Sequence, residues 1–324
     1  MGLEAGGQAD KMRHALIVAG PTCSGKSALA LALARALGGT VINTDAMQVY
    51  RELRVLTARP SAAEEALAPH RLYGVRPAGE PGNAAWWRSA ALAAMSASPG
   101  LPILCGGTGL YFAALTEGLS DIPEPSEAAR GEARALLAEL GPAGLHQRLV
   151  AADPATAARL RPQDSQRLAR AWEVWANTGR GLSAWQQDAA AKAPYRFSAI
   201  LLDPPRDTLR AAIAGRFGAM LEAGALDEVR DLLAAGIDPT VPAMRAHGVP
   251  ELSAYLRGEM TLPAARLAAQ QSTGQYTKRQ ATWFRHRALA APERMHIIHA
   301  RIAGREQFSE REWADLINFV QTAG

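Results

Sequence analysis

Three short apolar runs, HALIVAG (14–20), GTVINTD (39–45) and LPILCGG (101–107), each end in small or polar residues. Runs of this length without polar interruption predict strands buried on both faces of a parallel sheet. Between them, 28–37 and 84–97 are rich in alanine and predict helices, and such alternation argues for an α/β layer structure. A fourth run, FSAILLD (197–203), comes much later, and MHIIHA (295–300) also has strand character. The intervening stretch opens with DIPEPSE, carries only helical patterns and closes at Ala193-Pro194. Prolines at both boundaries predict a helical insertion over 121–193. The expected organisation is a disordered leader (1–13), an α/β core (14–120 plus 194–324) and the insertion. Beyond Asp203 the pattern is helical to about residue 290, and a last helix follows the strand-like MHIIHA.

The first run leads directly into the strongest chemical signal. Gly20 and Gly25, followed by Lys26 and Ser27, fit G-x-x-x-x-G-K-[ST] between a strand and a helix. Backbone N–H groups of such a loop wrap phosphate oxygens, the lysine adds a point charge, and the hydroxyl can hold Mg²⁺. The fold class is therefore α/β, a P-loop NTPase-like parallel sheet flanked by helices, with a helical insertion domain. The loop by itself does not say whose phosphate it holds.

Composition narrows the class. Of 324 residues, 48% are hydrophobic, enough for a core without staples, and Cys23 and Cys105 are too few for a disulfide framework. No apolar run has signal-peptide or membrane-spanning length, so a cytoplasmic protein with no membrane partner is expected. The net charge of +4 is unevenly placed. From Thr261 to Pro292 there are five Lys or Arg residues and no acidic one, whereas 121–193 holds nine of each sign. An unbalanced basic segment is the footprint of an anionic partner.

Other candidate residues are open to two readings. Asp45, at the end of the second run, can accept a proton from a nucleophile or position Mg²⁺; it can equally cap a helix beginning in MQVYREL. Cys105-Gly106-Gly107-Thr108-Gly109 can admit a ligand to the backbone and offer the Thr108 hydroxyl, or can simply form a tight turn. In QDSQRLARAWEVW (163–175), a helix capped near Asp164 places Arg167 and Arg170 on one side and Leu168, Trp172 and Trp175 on another. In QYTKRQATWFRHR (275–287), Lys278, Thr282 and Arg285 share a face. Trp283 and Phe284 either stack on bases or belong to the core, and no carboxylate close in sequence pairs with the cations. Arg216 can swing over the phosphate loop. His70 and His247 lie in loop-like contexts without ligand-spaced neighbours, so no metal role is assigned to them.

Taken together, seven motifs resemble those of the tRNA dimethylallyltransferases, also called tRNA isopentenyltransferases, from about residue 14 to 290. They are GPTCSGKS (20–27), TDAMQVY (44–50), LTARP (56–60), PHRL (69–72), LPILCGGTGLYFAAL (101–115), RPQDSQRLARAWEV (161–174) and YTKRQATWFR (276–285). The resemblance implies transfer of a dimethylallyl group from dimethylallyl diphosphate to N6 of the adenine 3′ of the anticodon, in tRNAs reading codons that begin with U. It implies a diphosphate site from Gly20, Pro21, Thr22, Cys23, Ser24, Gly25, Lys26 and Ser27, with Arg216 on the pyrophosphate. Ser27 would stand near Mg²⁺, the implied cofactor, and Asp45 would be the general base, with Lys26 and Thr108 also catalytic.

The same resemblance implies tRNA contacts at Asp45, Ala46, Met47 and Gln48, at Thr108 and Arg130, and at Gln166, Arg167, Leu168, Ala169 and Arg170. A last group comprises Lys278, Arg279, Gln280, Ala281, Thr282, Trp283, Phe284 and Arg285. The partners implied are the tRNA anticodon stem-loop and dimethylallyl diphosphate, bound by a monomer. Five positions depart from the family pattern: Cys23 for Ala, Ala46 for Ser, Arg59 for Lys, Gly74 for an acidic residue, and Gly274 for an Arg at the expected start of the basic helix. Two rival readings remain. A small-molecule kinase leaves the basic aromatic helix without a use, and a non-catalytic RNA-binding protein leaves the phosphate loop and Asp45 idle.

Overall fold

The computed structural model describes residues 12–188 and 190–324; the expected leader lies outside the described residues up to position 11. Arg13, assigned to that leader, instead opens the first strand, β1 (Arg13–Ala19). The chain divides into two compact units, 117–192 and the remainder.

The larger unit is built on β1, β2 (Thr40–Asn43), β3 (His70–Arg71), β4 (Pro102–Gly106), β5 (Tyr195–Leu202) and β6 (Met295–Ile298), in the spatial order β3-β2-β4-β1-β5-β6. Every pairing is parallel. β1 lies between β4 and β5, with Ile17 opposite both Leu104 and Ala199. Alternation along β1 explains its unbroken apolar run, since successive side chains serve opposite faces. Leu16 and Val18 pack with Leu29 and Leu33 of α1 (Lys26–Leu37), and with Leu316 and Val320 near the C-terminus. Ala15, Ile17 and Ala19 belong to the opposite layer with Trp87, Phe112 and Phe284.

The remaining helices of this unit before the smaller one are α2 (Ala62–Leu67), α3 (Ala84–Ser96) and α4 (Gly109–Thr116). The segment after Asp45, for which a helix capped by that residue is one of two open readings, forms turns instead, because its amides are drawn into side-chain bonds described below. His70, expected in a loop, forms the two-residue edge strand β3, too short for any apolar pattern to announce.

In the smaller unit, α5 (Glu127–Ala152), α6 (Pro154–Ala157), α7 (Ser165–Thr178) and α8 (Leu182–Trp185) surround Ala133, Leu145, Leu149, Leu168 and Trp172. α5 is broken at Gly141-Pro142, where φ of Gly141 is 65°. Asp164 caps α7 by accepting the Arg167 N–H.

After β5 the larger unit resumes with α9 (Arg206–Glu222), α10 (Ala225–Ala234), α11 (Val249–Leu256) and α12 (Leu262–His286), and ends with α13 (Glu310–Thr322). The basic helix expected from residue 275 is only the second half of α12, which is capped by Thr261. Gly274 therefore sits mid-helix rather than at a helix start.

Candidate active site

The phosphate loop connects β1 to α1. Gly25 has φ 92°, a left-handed conformation that glycine adopts without strain, and it precedes Lys26, the first residue of α1. The first-turn amides of α1 receive no side-chain cap, which leaves a positive helix end for an anion. The loop is held from behind by the chain's last strand connection. Ile302 N–H donates to Ser24 O at 2.9 Å, and Arg301 Nε donates to Cys23 O at 3.2 Å. A Cβ on Gly25 would collide with the Ile302 backbone.

Asp45 follows β2 at the same sheet edge. Asn43 locks its backbone by accepting the Asp45 N–H at 2.9 Å and donating to its carbonyl at 3.0 Å. Asp45 Oδ1 accepts the Met47 N–H at 2.9 Å, an Asx turn rather than a helix cap. Thr108 Oγ1 accepts the Ala46 N–H at 3.0 Å, so this hydroxyl ties the β4 turn to the segment carrying Asp45. The glycines around Thr108 serve packing rather than ligand approach. A Cβ would strike the Thr44 backbone from Gly106, the Gln280 amide from Gly107 and the Trp283 ring from Gly109.

These elements enclose a cavity of about 290 Å³ lined by Thr22, Cys23, Lys26, Ser27, Asp45 and Arg216 among others. Arg216 reaches it from α9, with Nη1 3.8 Å from Cys23 Sγ and Nη2 3.4 Å from Thr57 O. Arg245 and Arg279 also line it, so four cations face one carboxylate, the balance an anionic ligand requires. Burial lowers the Lys26 pKa; Cys105 and Asp45 oppose that shift, and Arg216 adds to it. Burial pushes the Cys105 thiol up to about 11 while it hydrogen-bonds Ser27. Tyr276, also on the wall, is pushed up to about 12 by burial and the Asp45 charge, against hydrogen bonds to Thr108 and Gln280. His247 is lowered by burial and hydrogen-bonds Ser272 Oγ at 2.7 Å.

The helical period divides the basic segment of α12 three ways. Arg279, with Tyr276 one turn earlier, faces the cavity. Lys278, Ala281, Thr282 and Arg285 instead line a larger groove of about 630 Å³ beside α9, where Arg206, Arg210 and Gly274 also lie. Gln280 and Phe284 turn inward and are 4% and 5% exposed. Of the two readings left open for the aromatic pair, Phe284 takes the core one and is corrected from a tRNA contact, while Trp283 is half-buried. Phe284 packs against Phe112 with ring centroids 6.2 Å apart, and Trp283 lies over Gly109, because the apolar face of α12 covers the sheet. Arg285 also has a carboxylate neighbour, Asp203 at 3.8 Å, contrary to the expectation from sequence distance.

In the smaller unit, Arg130 pairs with Glu124 at 2.7 Å, Arg167 with Asp164 at 3.4 Å, and Arg170 with Glu173 at 3.5 Å. Ion pairs near the surface contribute little to stability. Gln166 and Arg167 are exposed and Ala169 is half-buried, but Leu168 is fully buried in the unit's core. Its side chain is corrected from a tRNA contact to a packing residue.

Arg245 and Tyr276 were missed by sequence reasoning, which weighed His247 only as a metal ligand. The i, i+3 spacing of Tyr276 and Arg279 was a usable signal. Nothing local marks Arg245 or His247, which tertiary folding alone brings to the cavity.

A glycine-rich loop at the carboxyl edge of a parallel sheet, facing a carboxylate and cations across a small cavity, defines a P-loop-like enzyme class acting on a phosphorylated substrate. The profile described as IPP transferase matches residues 48–287, and that described as isopentenyl transferase matches 12–76. The chain is 62% identical to a tRNA dimethylallyltransferase of Granulibacter bethesdensis over 96% of this chain and 99% of the relative. It is 58% identical to one of Gluconobacter oxydans, covering 95% and 94%. The crystal structure of the full-length tRNA isopentenylpyrophosphate transferase from Bacillus halodurans superposes with a TM-score of 0.67 at 31% identity, covering 97% of each chain. The chain belongs to the tRNA dimethylallyltransferase family and is a transferase.

Proposed function

We propose that this protein transfers a dimethylallyl group from dimethylallyl diphosphate to N6 of the adenine 3′ of the anticodon, in tRNAs reading codons that begin with U. The observation that carries this reading is the placement of Lys26, Arg216 and Asp45 around one cavity, one stretch of whose wall is apolar. Leu56, Ile213, Phe217 and Met220 supply that wall, suited to a five-carbon hydrocarbon. Lys26 and the phosphate-loop amides bind the diphosphate, and Arg216 clamps it from the opposite side.

In the reaction the C1–O bond to the diphosphate breaks and a bond forms between N6 and C1. The breaking bond's electron pair leaves with the diphosphate, where Lys26, Arg216 and the α1 N-terminus stabilise it. An aromatic amine is a poor nucleophile, so Asp45 takes the N6 proton as the bond forms. The exposed Ser27 hydroxyl, an oxygen donor beside the phosphate loop, fits Mg²⁺ as the implied ion and would help to hold it, and the ion would supply further neutralisation of the leaving group.

The tRNA partner is met by Lys278, Thr282 and Arg285 on the outer face of α12, and by Arg130, Gln166, Arg167 and Arg170. The enzyme acts as a monomer in the cytoplasm. Incubation with tRNA, Mg²⁺ and labelled dimethylallyl diphosphate should place label on tRNA without ATP; label arriving only from ATP would instead make it a kinase. Asp45→Ala should lower transfer by about 10²–10⁴-fold with tRNA still bound, and full residual turnover removes the base assignment.

A further inference from the structure

Gln280 was grouped with the tRNA-contacting residues of its motif, yet its side chain is buried beneath the phosphate loop. Its Oε1 accepts the Thr22 backbone N–H at 2.8 Å and the Thr22 hydroxyl at 3.1 Å. Its Nε2 donates to Gly107 O at 2.9 Å. The partners fix the amide's orientation, since an N–H requires an acceptor and a carbonyl requires a donor. Tyr276, one turn earlier on α12, has Gln280 and Thr108 among the polar neighbours that act on its hydroxyl. Gly107 is glycine because the Gln280 amide occupies the space of a Cβ.

We infer that Gln280 is a positioning residue for the phosphate loop: a strut from α12 that sets Thr22 against the Gly107–Thr108 turn and thereby fixes the diphosphate subsite. Only a glutamine fits these demands. Glutamate lacks the donor for Gly107, and methionine fills the same length with neither polar function. Because the Thr22 N–H is already satisfied, this amide is withdrawn from anion binding, and the diphosphate is left to the amides nearer Lys26. The inference rests on the reading that this loop holds the donor's diphosphate.

The test is a double-mutant cycle in the full-length enzyme between Gln280→Met and Thr22→Val, with steady-state constants measured separately for dimethylallyl diphosphate and tRNA. Each single variant should raise KM for dimethylallyl diphosphate by about tenfold, as expected for a lost buried hydrogen bond, while KM for tRNA stays within about twofold. The double variant should be little worse than Gln280→Met alone, and Thr22→Ser, which keeps the hydroxyl, should restore donor KM. Additive losses, an equal rise in tRNA KM, or an unchanged donor KM would overturn the strut. Should Gln280→Met fail to fold, the Val and Ser variants at position 22 decide: a donor KM that rises in both or in neither overturns it. Lys26→Ala run alongside separates the two levels. If Lys26→Ala leaves donor KM unchanged the diphosphate reading itself fails, whereas a loss there with none at Gln280 or Thr22 fails only the strut.

Discussion

The Arg59 guanidinium occupies the space that a side chain at Gly74 would need. Its Nη1 donates to Arg51 O at 3.1 Å and to Tyr50 O at 3.4 Å, and Gly74, with φ 58°, lies beneath it. Arg59 and Gly74, two of the positions at which the chain departs from the pattern it resembles, are thus in direct contact. Gly74→Asp alone should destabilise the fold by about 1–3 kcal/mol, through left-handed strain and displacement of Arg59. Adding Arg59→Lys should recover part of that loss, and urea melts of the two singles and the double check the coupling.

Lys26 carries a cost in the unliganded protein. Its folded pKa lies below the ordinary 10.5, so folding disfavours its charged form. The unfolded chain binds more protons between the two pKa values, and stability therefore rises with pH across that window. Below the folded pKa the amine is charged in both states and the penalty is fully present. Lys26→Met should consequently raise the melting temperature of the unliganded protein at neutral pH while abolishing the stabilisation that added pyrophosphate gives wild type. Thermal scans with and without pyrophosphate read both effects, and a melting temperature lowered by the substitution would contradict the desolvation cost.

Lys278 and Arg285 share one groove, and the contribution to tRNA binding proposed for them is electrostatic. Replacing both with alanine should weaken tRNA binding and make the dependence of log K on log salt shallower by about 1.5. Donor KM should remain unchanged, because neither side chain lines the cavity. Titrations at several salt concentrations distinguish this from an unspecific loss of affinity.

Glu228 receives three consecutive backbone N–H groups, from Arg54 at 2.7 Å, Val55 at 2.6 Å and Leu56 at 3.0 Å. This carboxylate fixes the turn that presents Thr57 O to Arg216 and to Gln48 Nε2. Glu228→Gln turns an amide NH₂ toward donors and should cost about 2–3 kcal/mol, seen as a lower urea midpoint at unchanged m-value. Arg216 loses a fixed neighbour, so donor KM should rise as well.

Much of this site was legible because its signals are local. A strand, a glycine turn and a helix are contiguous between residues 13 and 37, and the apolar run of β1 follows directly from burial on both faces. What escaped depends on distant partners. Whether Trp283 and Phe284 face bases or the core is decided by Gly109 and Phe112, more than 150 residues away in sequence. The reason for two glycines before Thr108 lies in Thr44 and Gln280, not in the turn itself. Asp45 resembled a helix cap by its neighbours, but Asn43 and Thr108 recruit the amides around it and no helix starts.

The backing of the phosphate loop by Ile302 bears on how the protein is made. The loop is made well before its supports: β1 is flanked on one side by β5, and Cys23 in the loop is held by Arg301, 278 residues further along. Closing such contacts is slow because the long intervening stretch must be brought around first. On the ribosome the anion site therefore stays incomplete until residues 301 and 302 have emerged, and a nascent chain is catalytically silent before then.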